Sequence, residues 1–448
     1  MFEDLRSYLS YLEEQGQLLR VKDEVDPKFD VAAGIRKTSD VKGPALLFEN
    51  VKGFPNWRLL GGMFATEKLV ALGLGVKEEE LLERYLTLED NRIAPKMVSG
   101  DQDKTTTWTG SEVDLNRLPI VTHSERDVGP YITIGVQVGK DPDTGVRNMS
   151  IHRMLLGGKD RLSLWAPPDH HLGRFIAQAE EKGKGLEVAT AIGVDPAIVV
   201  GSQAKVPMGV DEFEVAGGLR GAPVKLRKCK TIDVEVPASA EVVIEGVTVP
   251  GERITDGPYG EYQGCYSEAK QSAVLKVTAI TIRENPIYQT CLAGFPVTEN
   301  HTLIEYGNAA LVYREVKKIV PEVRGIRLTP GGTFRHHVVV SIKKRQEEEA
   351  RNVILALLAV GVGIKHVTVV DDDIDVNNPL EVDWAVSTRM QPDRDIIIIP
   401  RLATSTLDPS VPKPRTSAGW GMDATMPLGD RERFDRVRVP GVDKVKYL

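Results

Sequence analysis

A change of hydrophobic period near residue 108 constrains this chain more than any other feature. Upstream, Phe2, Leu5, Tyr8, Leu9 and Leu12 recur at the spacing of an amphipathic helix that ends at Gly16. Short strands are expected over 18–21, 44–48 and 57–60, and a helix over 78–88. From 108 to 295 the texture turns to β: residues 131–138 alternate as a half-buried strand does, 141–145 form a turn by composition, and 148–155 read as the return strand of a hairpin. Further strands are expected over 231–236, 241–245 and 273–283, with one helix over 171–182. Many strands with few helical insertions predict a barrel or sandwich rather than a doubly wound sheet. Beyond 300 the pattern becomes α/β, with helices over 301–319, 346–360 and 381–387 and strands over 337–342 and 366–370. Residues 395–400 form a continuous apolar run, the texture of a strand covered on both faces. The Pro-, Gly- and charge-rich end after Arg401 predicts an extended tail clasping a neighbouring subunit.

Composition narrows the function classes. Lys and Arg number 57 against 64 Asp and Glu, a formal charge of −7, which gives no support to binding of a nucleic-acid backbone. The longest apolar stretch, 353–362, is too short to span a bilayer. The first residues carry acids early and lack the apolar core of a secretory signal. Cys229, Cys265 and Cys291 form no CxxC pair and leave an odd one over, so a disulfide framework is not expected and a reducing cytoplasm is. A soluble, cytoplasmic, multi-domain enzyme with no nucleic-acid or membrane partner is the expectation.

Familiar cofactor signatures are missing. No GxxxxGK[ST] or Gly-x-Ser-x-Gly occurs, Gly73-Leu74-Gly75 lacks the third glycine of a dinucleotide fold, and His170 and His171 are adjacent rather than spaced as zinc ligands on a helix. Four other segments carry chemistry. In RNMSIHR, 147–153, strand alternation puts Asn148, Ser150 and His152 on one polar face, able to ligate a metal or phosphate or simply solvated, and leaves Arg153 beside Met149 and Ile151, where it pairs with an acid or snorkels to water. WAPPDHHLG, 165–173, is a Pro-bounded loop leading into a helix start, where free amides favour anions or one histidine caps the helix. DGPYGE, 256–261, places two carboxyls in one tight turn, either close enough to share Arg153, an arrangement that can drive two acids to different pKa values, or an exposed acidic turn. Asp211-Glu212-Phe213-Glu214 offers hard oxygen ligands for Mg2+ or Mn2+, or a solvated acidic stretch.

Together these segments resemble the UbiD family of prenylated-flavin-dependent (de)carboxylases. The resemblance runs through NMSIHR at 148–153, PDHHLG at 168–173, AIGVDPA at 191–197 and DEFEVAGGLRGAPVKLRKC at 211–229. It continues through 235–252, DGPYGEYQGCY at 256–266, WAVSTRMQPDRD at 384–395 and GMDAT at 421–425. It implies an α+β multi-domain fold. A central split β-barrel, flavin reductase-like, over 106–298 would be flanked by an N-terminal α/β domain over 1–105. A connecting helix over 299–320 would lead to a C-terminal α/β oligomerisation domain with extended tail over 321–448.

It implies prenylated FMN as cofactor, tethered by Mn2+ or Mg2+ and K+. Asn148, His171 and Glu212 match the metal ligands, with His170 as the alternative histidine, and Ser150, Ile151, His152, Arg153 and Ser202 fall where the family lines the cofactor. Arg153, Asp256 and Glu261 match the catalytic Arg–Glu–Glu set, with Asp256 one methylene shorter than the commoner Glu. The implied reaction is reversible, non-oxidative decarboxylation of an α,β-unsaturated, aromatic or heteroaromatic acid through a covalent prenylated-FMN adduct, with Glu261 as proton donor. A furan or pyrrole carboxylate is the favoured type; read from the residues themselves, His301, Arg324, Arg327 and Arg335 are candidate contacts for a polar ring or a second carboxylate, with structural salt bridges as the alternative reading of the arginines. Implied partners are the small carboxylic acid, CO2, a flavin prenyltransferase as cofactor supplier, and copies of the chain in a homodimer or homohexamer. The rival readings are an FMN-dependent oxidoreductase on the same barrel, which would not need the Arg153–Asp256–Glu261 set, and a non-catalytic flavin-binding protein.

Overall fold

Alternate residues of the central strands enter two different cores. Ala189, Ala191 and Val243 belong to one hydrophobic cluster and Val188, Ile192, Val242 and Ile244 to another, so one sheet separates the two. The structure is a computed structural model describing residues 2–87, 91–100, 104–360, 363–402, 405, 407–411 and 416–445. It divides into two compact units, Met1–Ala310 and Leu311–Leu448.

The large sheet of the first unit runs in the order Tyr131–Ile132, Met154–Gly158, Arg161–Leu164, Lys270–Arg283, Val242–Asp256, Glu187–Ile192, Val136–Lys140, Arg147–Ile151, with Thr105–Thr109 paired beside Lys270–Arg283. The last strand in that order is joined to the second by His152 and Arg153 alone. Two residues cannot cross a flat sheet of this width, so the sheet curls until its ends meet. This is the half-barrel that the sequence leads one to expect.

The chain leaves its expected elements at instructive places. The 131–138 strand is broken, with pairing at Tyr131–Ile132 and again from Val136. The 148–155 strand is likewise two strands, and the break falls at His152-Arg153. Alternation therefore stops before Arg153, and the side chain is not held beside Met149 and Ile151 as the alternating pattern requires. The 231–236 strand shrinks to Glu235–Pro237. The 211–214 acids are not a solvated stretch: they open the helix Glu212–Arg220, in which Glu212 is buried.

The N-terminal helix is Leu5–Glu14 with Leu5, Tyr8, Leu9 and Leu12 buried, as its periodicity predicts. It packs near a sheet of Leu18–Val25, Ala45–Val51 and Arg58–Gly61, which takes its fourth strand, Ile287–Gln289, from far downstream. The helices Asp30–Asp40 and Glu67–Leu74 were not anticipated, and Gly73 and Gly75 are simply the end and the left-handed cap of the second. The expected 78–88 helix is a 3-10 turn, Glu78–Glu80, running into Leu81–Leu86; Leu88 lies outside the described residues. A long helix, Glu299–Lys317, leads into the second unit. Among the described residues no helix is long and apolar enough to cross a membrane.

The second unit holds a five-stranded sheet in the order Val323–Leu328, His337–Ile342, His366–Asp371, Ser417–Ala424, Ile396–Leu402. Two expectations fail here. The apolar 395–400 run is an edge strand with Ile398 69% exposed, not one covered on both faces. The chain after Arg401 is not wholly an extended tail, because Ser417–Ala424 returns to pair on both sides within the sheet. Its small residues hide it from a propensity reading, and packing explains them: a side chain at Gly421 would overlap Ile354 of the helix Glu349–Ala359. Gly421→Ala is expected to lower the stability of the second unit by about 1–3 kcal/mol, read as a fall in its urea midpoint.

Candidate active site

Two side-chain clusters flank the junction where the sheet ends meet. The first gathers Asn148, His171 and Glu212. Asn148 Nδ2 donates to Glu212 Oε1 at 2.7 Å and lies 3.4 Å from His171 Nδ1, which is itself 3.7 Å from Glu212 Oε1. Glu212 Oε2 accepts the Met149 backbone N–H at 2.7 Å, and Ser150 Oγ donates to Asn148 Oδ1 at 3.2 Å. The convergence is held from outside. Arg147, one residue before Asn148, donates Nε and Nη2 to Asp211 Oδ2 at 2.9 and 2.6 Å, while Asp211 Oδ1 caps the helix that begins at Glu212. Arg147 Nη1 also donates to Glu235, which is shared with Lys140. His171 opens the helix His171–Glu181, and Gly173 lies so close to the Pro167 carbonyl that any side chain there would overlap it.

Of the two adjacent histidines, His171 faces Asn148 and Glu212. His170 occupies the N-cap position without a side-chain capping bond, its ring 5.7 Å from that of His152. Neither histidine fulfils the capping alternative.

A cavity of about 210 Å3 opens on this cluster, lined by Asn148, Ser150, Ile151, His152, His171, Ser202 and Glu212. Every residue named as cofactor-binding except Arg153 is on that wall. Lys205 is there too and had no signal in the sequence beyond a single cation following Ser202. His152 is neutral, its pKa pushed down to about 3 by burial, and its Nε2 is buried without a hydrogen-bond partner among the described residues. An orphaned ring nitrogen of this kind calls for a ligand atom or water in the cavity. Among the described residues no group of three or more His, Cys, Asp or Glu converges. The Asn148 amide completes the set, and rotated to present its oxygen it gives, with imidazole and carboxylate, donors that could hold Mg2+ or Mn2+.

The second cluster is built on Arg153, buried together with Asp256 and Glu261. Arg153 Nε and Nη2 donate to Asp256 Oδ1 at 3.1 and 3.0 Å, and Nη1 donates to Glu261 Oε1. The shorter Asp256 side chain does reach the guanidinium. The two acids are held differently. Asp256, fully buried at the end of Val242–Asp256, also accepts Tyr131 OH at 3.2 Å and Ser163 Oγ at 2.6 Å. Glu261 sits beyond a turn whose Gly257 has φ +105°, and burial raises its carboxyl above the ordinary range, opposed mainly by Arg153. Arg153 further lies 4.8 Å from the centroid of the Tyr259 ring. Tyr131, Ser163 and Tyr259 were not singled out from sequence, since only the folded strands bring them here.

His301 is fully buried and neutral, its pKa lowered to about 4 by burial. Its Nδ1 meets Thr298 Oγ1 at 2.9 Å and its Nε2 meets the Tyr262 carbonyl at 2.6 Å, next to Glu261. Arg327 lies in the second unit, its guanidinium 5.7 Å from the Phe334 ring, and Arg324 pairs with Glu322 at 3.0 Å. Cys229, Cys265 and Cys291 are all free thiols.

Three family profiles match the chain in succession: the 3-octaprenyl-4-hydroxybenzoate carboxy-lyase N-terminal domain over 9–88, its Rift-related domain over 96–296 and its C-terminal domain over 301–424. The chain belongs to the UbiD family. It is a UbiD decarboxylase, a lyase of the flavoprotein type. It is 37% identical over 434 residues to the anhydromevalonate phosphate decarboxylase of Methanothermobacter thermautotrophicus, covering 97% of this chain and 99% of the relative. It is 35% identical to the enzyme of that name from Methanosarcina mazei, with the same coverage. The UbiD-class enzyme HmfF from Pelotomaculum thermopropionicum, solved in complex with FMN, superposes with a TM-score of 0.92 at 42% identity, covering 99% of this chain and 100% of that one. An evolved dimeric form of HmfF, in complex with prFMN, gives 0.88 at 40% identity, covering 100% and 99%.

Ser163 tests how tightly the Arg153 cluster is built, since its hydroxyl donates to Asp256 and accepts the Leu155 backbone N–H at 2.9 Å. Ser163→Ala strands both groups in the interior and should cost about 2–4 kcal/mol, measured by urea unfolding.

Proposed function

We propose that this UbiD decarboxylase removes CO2 from an α,β-unsaturated, aromatic or heteroaromatic carboxylic acid, with Arg153, Asp256 and Glu261 as its catalytic residues. The observation that carries the reading is one buried arginine between two acids of unequal surroundings: Asp256 with hydroxyl and guanidinium donors, Glu261 with its carboxyl raised by burial. Hydride transfer to a flavin needs no such set, which favours decarboxylation over an oxidoreductase or a mere flavin carrier. Prenylated FMN, when bound, supplies the electron sink for the charge left behind as CO2 departs. Arg153 holds the substrate carboxylate through its guanidinium. Asp256 orients Arg153. Glu261 delivers its proton to the carbon that has lost CO2, and at high CO2 the same proton is withdrawn in the direction of carboxylation.

Asn148, His171 and Glu212 would hold the Mn2+ or Mg2+ that tethers the cofactor phosphate, with K+ beside it and Ser150, Ile151, His152 and Ser202 along the wall. A flavin prenyltransferase would supply the cofactor, and the chain would assemble as a homodimer or homohexamer. Among substrates, a furan or pyrrole carboxylate is the ring type put forward, with His301 as its contact in the first unit. A second reading, anhydromevalonate phosphate, is favoured by identities of 37% and 35% with two relatives that carry that activity.

Holoenzyme made alongside a flavin prenyltransferase should release CO2 from furan-2-carboxylate. Release from anhydromevalonate phosphate alone would replace the first reading with the second, and reduction of plain FMN by NADH without CO2 release from any acid would restore the oxidoreductase. Glu261→Gln should lower turnover by about 10²–10⁴-fold while leaving the bound-flavin spectrum intact. Because Glu261 must be protonated to act, kcat/KM should fall as pH rises through its folded-state pKa, a limb that burial moves upward. Asp211→Ala removes the clamp between Arg147 and the Glu212 helix, and should weaken Mn2+ binding to the purified protein by about 10–100-fold in a titration calorimeter.

A further inference from the structure

Both acids of the Arg153 cluster are tied to one short segment that precedes the strand Tyr131–Ile132. Within it Asp127 is half-buried, and its two carboxyl oxygens have separate tasks. Oδ2 accepts the Ser124 backbone N–H at 2.9 Å, closing a turn whose other bond runs from the Asp127 N–H to the Ser124 carbonyl at 3.0 Å. Oδ1 accepts the Gly260 N–H at 2.8 Å, on the residue just before Glu261. The neighbours of Asp127 reach the same loop. Val128 N–H donates to the Pro258 carbonyl at 3.2 Å, Arg126 N–H donates to Tyr266 OH at 3.4 Å, and the Arg126 guanidinium lies 4.8 Å from the Tyr266 ring centroid. The segment is fixed to the sheet in turn, because the Tyr131 N–H donates to the Val121 carbonyl at 2.9 Å. Tyr131, four residues after Asp127, is the residue whose hydroxyl donates to Asp256. We propose that Asp127 is a positioning residue that sets the main chain of Glu261 against Arg153 and Asp256. The inference rests on the reading of Glu261 as proton donor.

Glu261 needs an anchor of this kind because, unlike Asp256, it lies on no strand. Its loop closes on itself through the Glu261 N–H to the Cys265 carbonyl at 3.0 Å and the Ser267 N–H to the Tyr259 carbonyl at 2.9 Å. After Glu261 the Tyr262 carbonyl meets His301; before it the ties run to Asp127 and Val128. The side-chain bond to Arg153 cannot hold Glu261 through a whole turnover, since the guanidinium also takes the substrate carboxylate and binds a protonated Glu261 less strongly. The backbone bond to Asp127 stays while that pair rearranges. A carboxylate suits the task better than an amide, because Gly260 and Ser124 both present N–H donors and only a side chain with an acceptor at each end meets both. Gly260 shows how closely the two pieces approach. Its φ lies outside the left-handed region, so its missing side chain answers to contact rather than to backbone strain, and a Cβ there would stand 2.8 Å from Ser124 Oγ. Chemistry is sensitive to such placement, at about 10²-fold in rate for a displacement of roughly 1 Å.

The test joins hydrogen exchange to steady-state kinetics on holoenzyme. Asp127→Ala frees the Gly260 and Ser124 N–H groups, so peptides over 257–267 should exchange at least about tenfold faster while those of the N-terminal sheet do not change. With the acid that the enzyme turns over, furan-2-carboxylate or anhydromevalonate phosphate, kcat should fall by about 10–100-fold and KM should stay within about twofold of the parent. Asp127→Asn keeps one acceptor and should fall between Ala and the parent. Gly260→Ala should lower kcat in the same way, and adding Ser124→Ala, which leaves the new Cβ 3.3 Å from that of residue 124, should recover part of the loss. Parental exchange over 257–267 in Asp127→Ala would overturn the proposal, as would faster exchange with kcat unchanged, or a loss shared equally by kcat, KM and FMN binding. Should Asp127→Ala not fold, Asp127→Asn and the Gly260–Ser124 pair carry the same comparison. If Glu261→Gln turns over at the parental rate, the proton-donor reading falls by itself, and exchange over 257–267 still decides whether Asp127 anchors that turn.

Discussion

Burial of the Arg153 guanidinium is the constraint around which the first unit is arranged. A charge out of water is tolerable only if its donors are met and its field is answered. Here Asp256 and Glu261 answer it, the face of Tyr259 covers it, and Tyr131 and Ser163 in turn occupy what remains of Asp256. Each partner comes from a different piece of chain. Tyr131 stands at one end of the large sheet, Asp256 closes a long inner strand, Ser163 lies between, and Glu261 rides on the turn beyond. Once the arginine is inside, the curl of the sheet is no longer free to vary.

The same two-residue junction connects the Arg153 cluster to the cavity lined by Asn148 and Glu212. Residues up to Ile151 still obey strand alternation and send Asn148 toward Glu212, whereas Arg153 has left it and turns toward the acids. The proposed cofactor wall and the proposed proton donor are thereby tied to one another through His152, whose backbone N–H donates to Gln137 Oε1 at 2.6 Å.

What could be read in advance divides along physical lines. Runs such as NMSIHR and DGPYGE carry their chemistry in contiguous residues, so Asn148, Arg153, Asp256 and Glu261 were visible before any fold was known. The middle β texture and the Leu5–Glu14 helix were visible too, because periodicity is local. Glu212 looked like a solvated acid in isolation, since nothing in Asp211-Glu212-Phe213-Glu214 announces that a helix start will be pulled inward by Arg147. Tyr131 and Ser163 are ordinary residues until strand pairing sets them beside a charge, and Lys205 until the loop after Ser202 brings it to the cavity. The strand Ser417–Ala424 was missed for a related reason: its glycines lower β propensity, yet they are what lets Ile354 pack against it.

The strand Ile287–Gln289 has a consequence for how such a chain is made. It lies parallel to Arg58–Gly61, so the N-terminal sheet waits for a partner more than two hundred residues downstream. Nascent chain leaving the ribosome must therefore carry an unfinished edge through the synthesis of the entire β region. Non-local pairing of that sort slows folding and lengthens the exposure of apolar surface. Fragments cut between the N-terminal sheet and the barrel would inherit that open edge permanently, and chaperone dependence would follow from topology rather than from any weakness of the finished core.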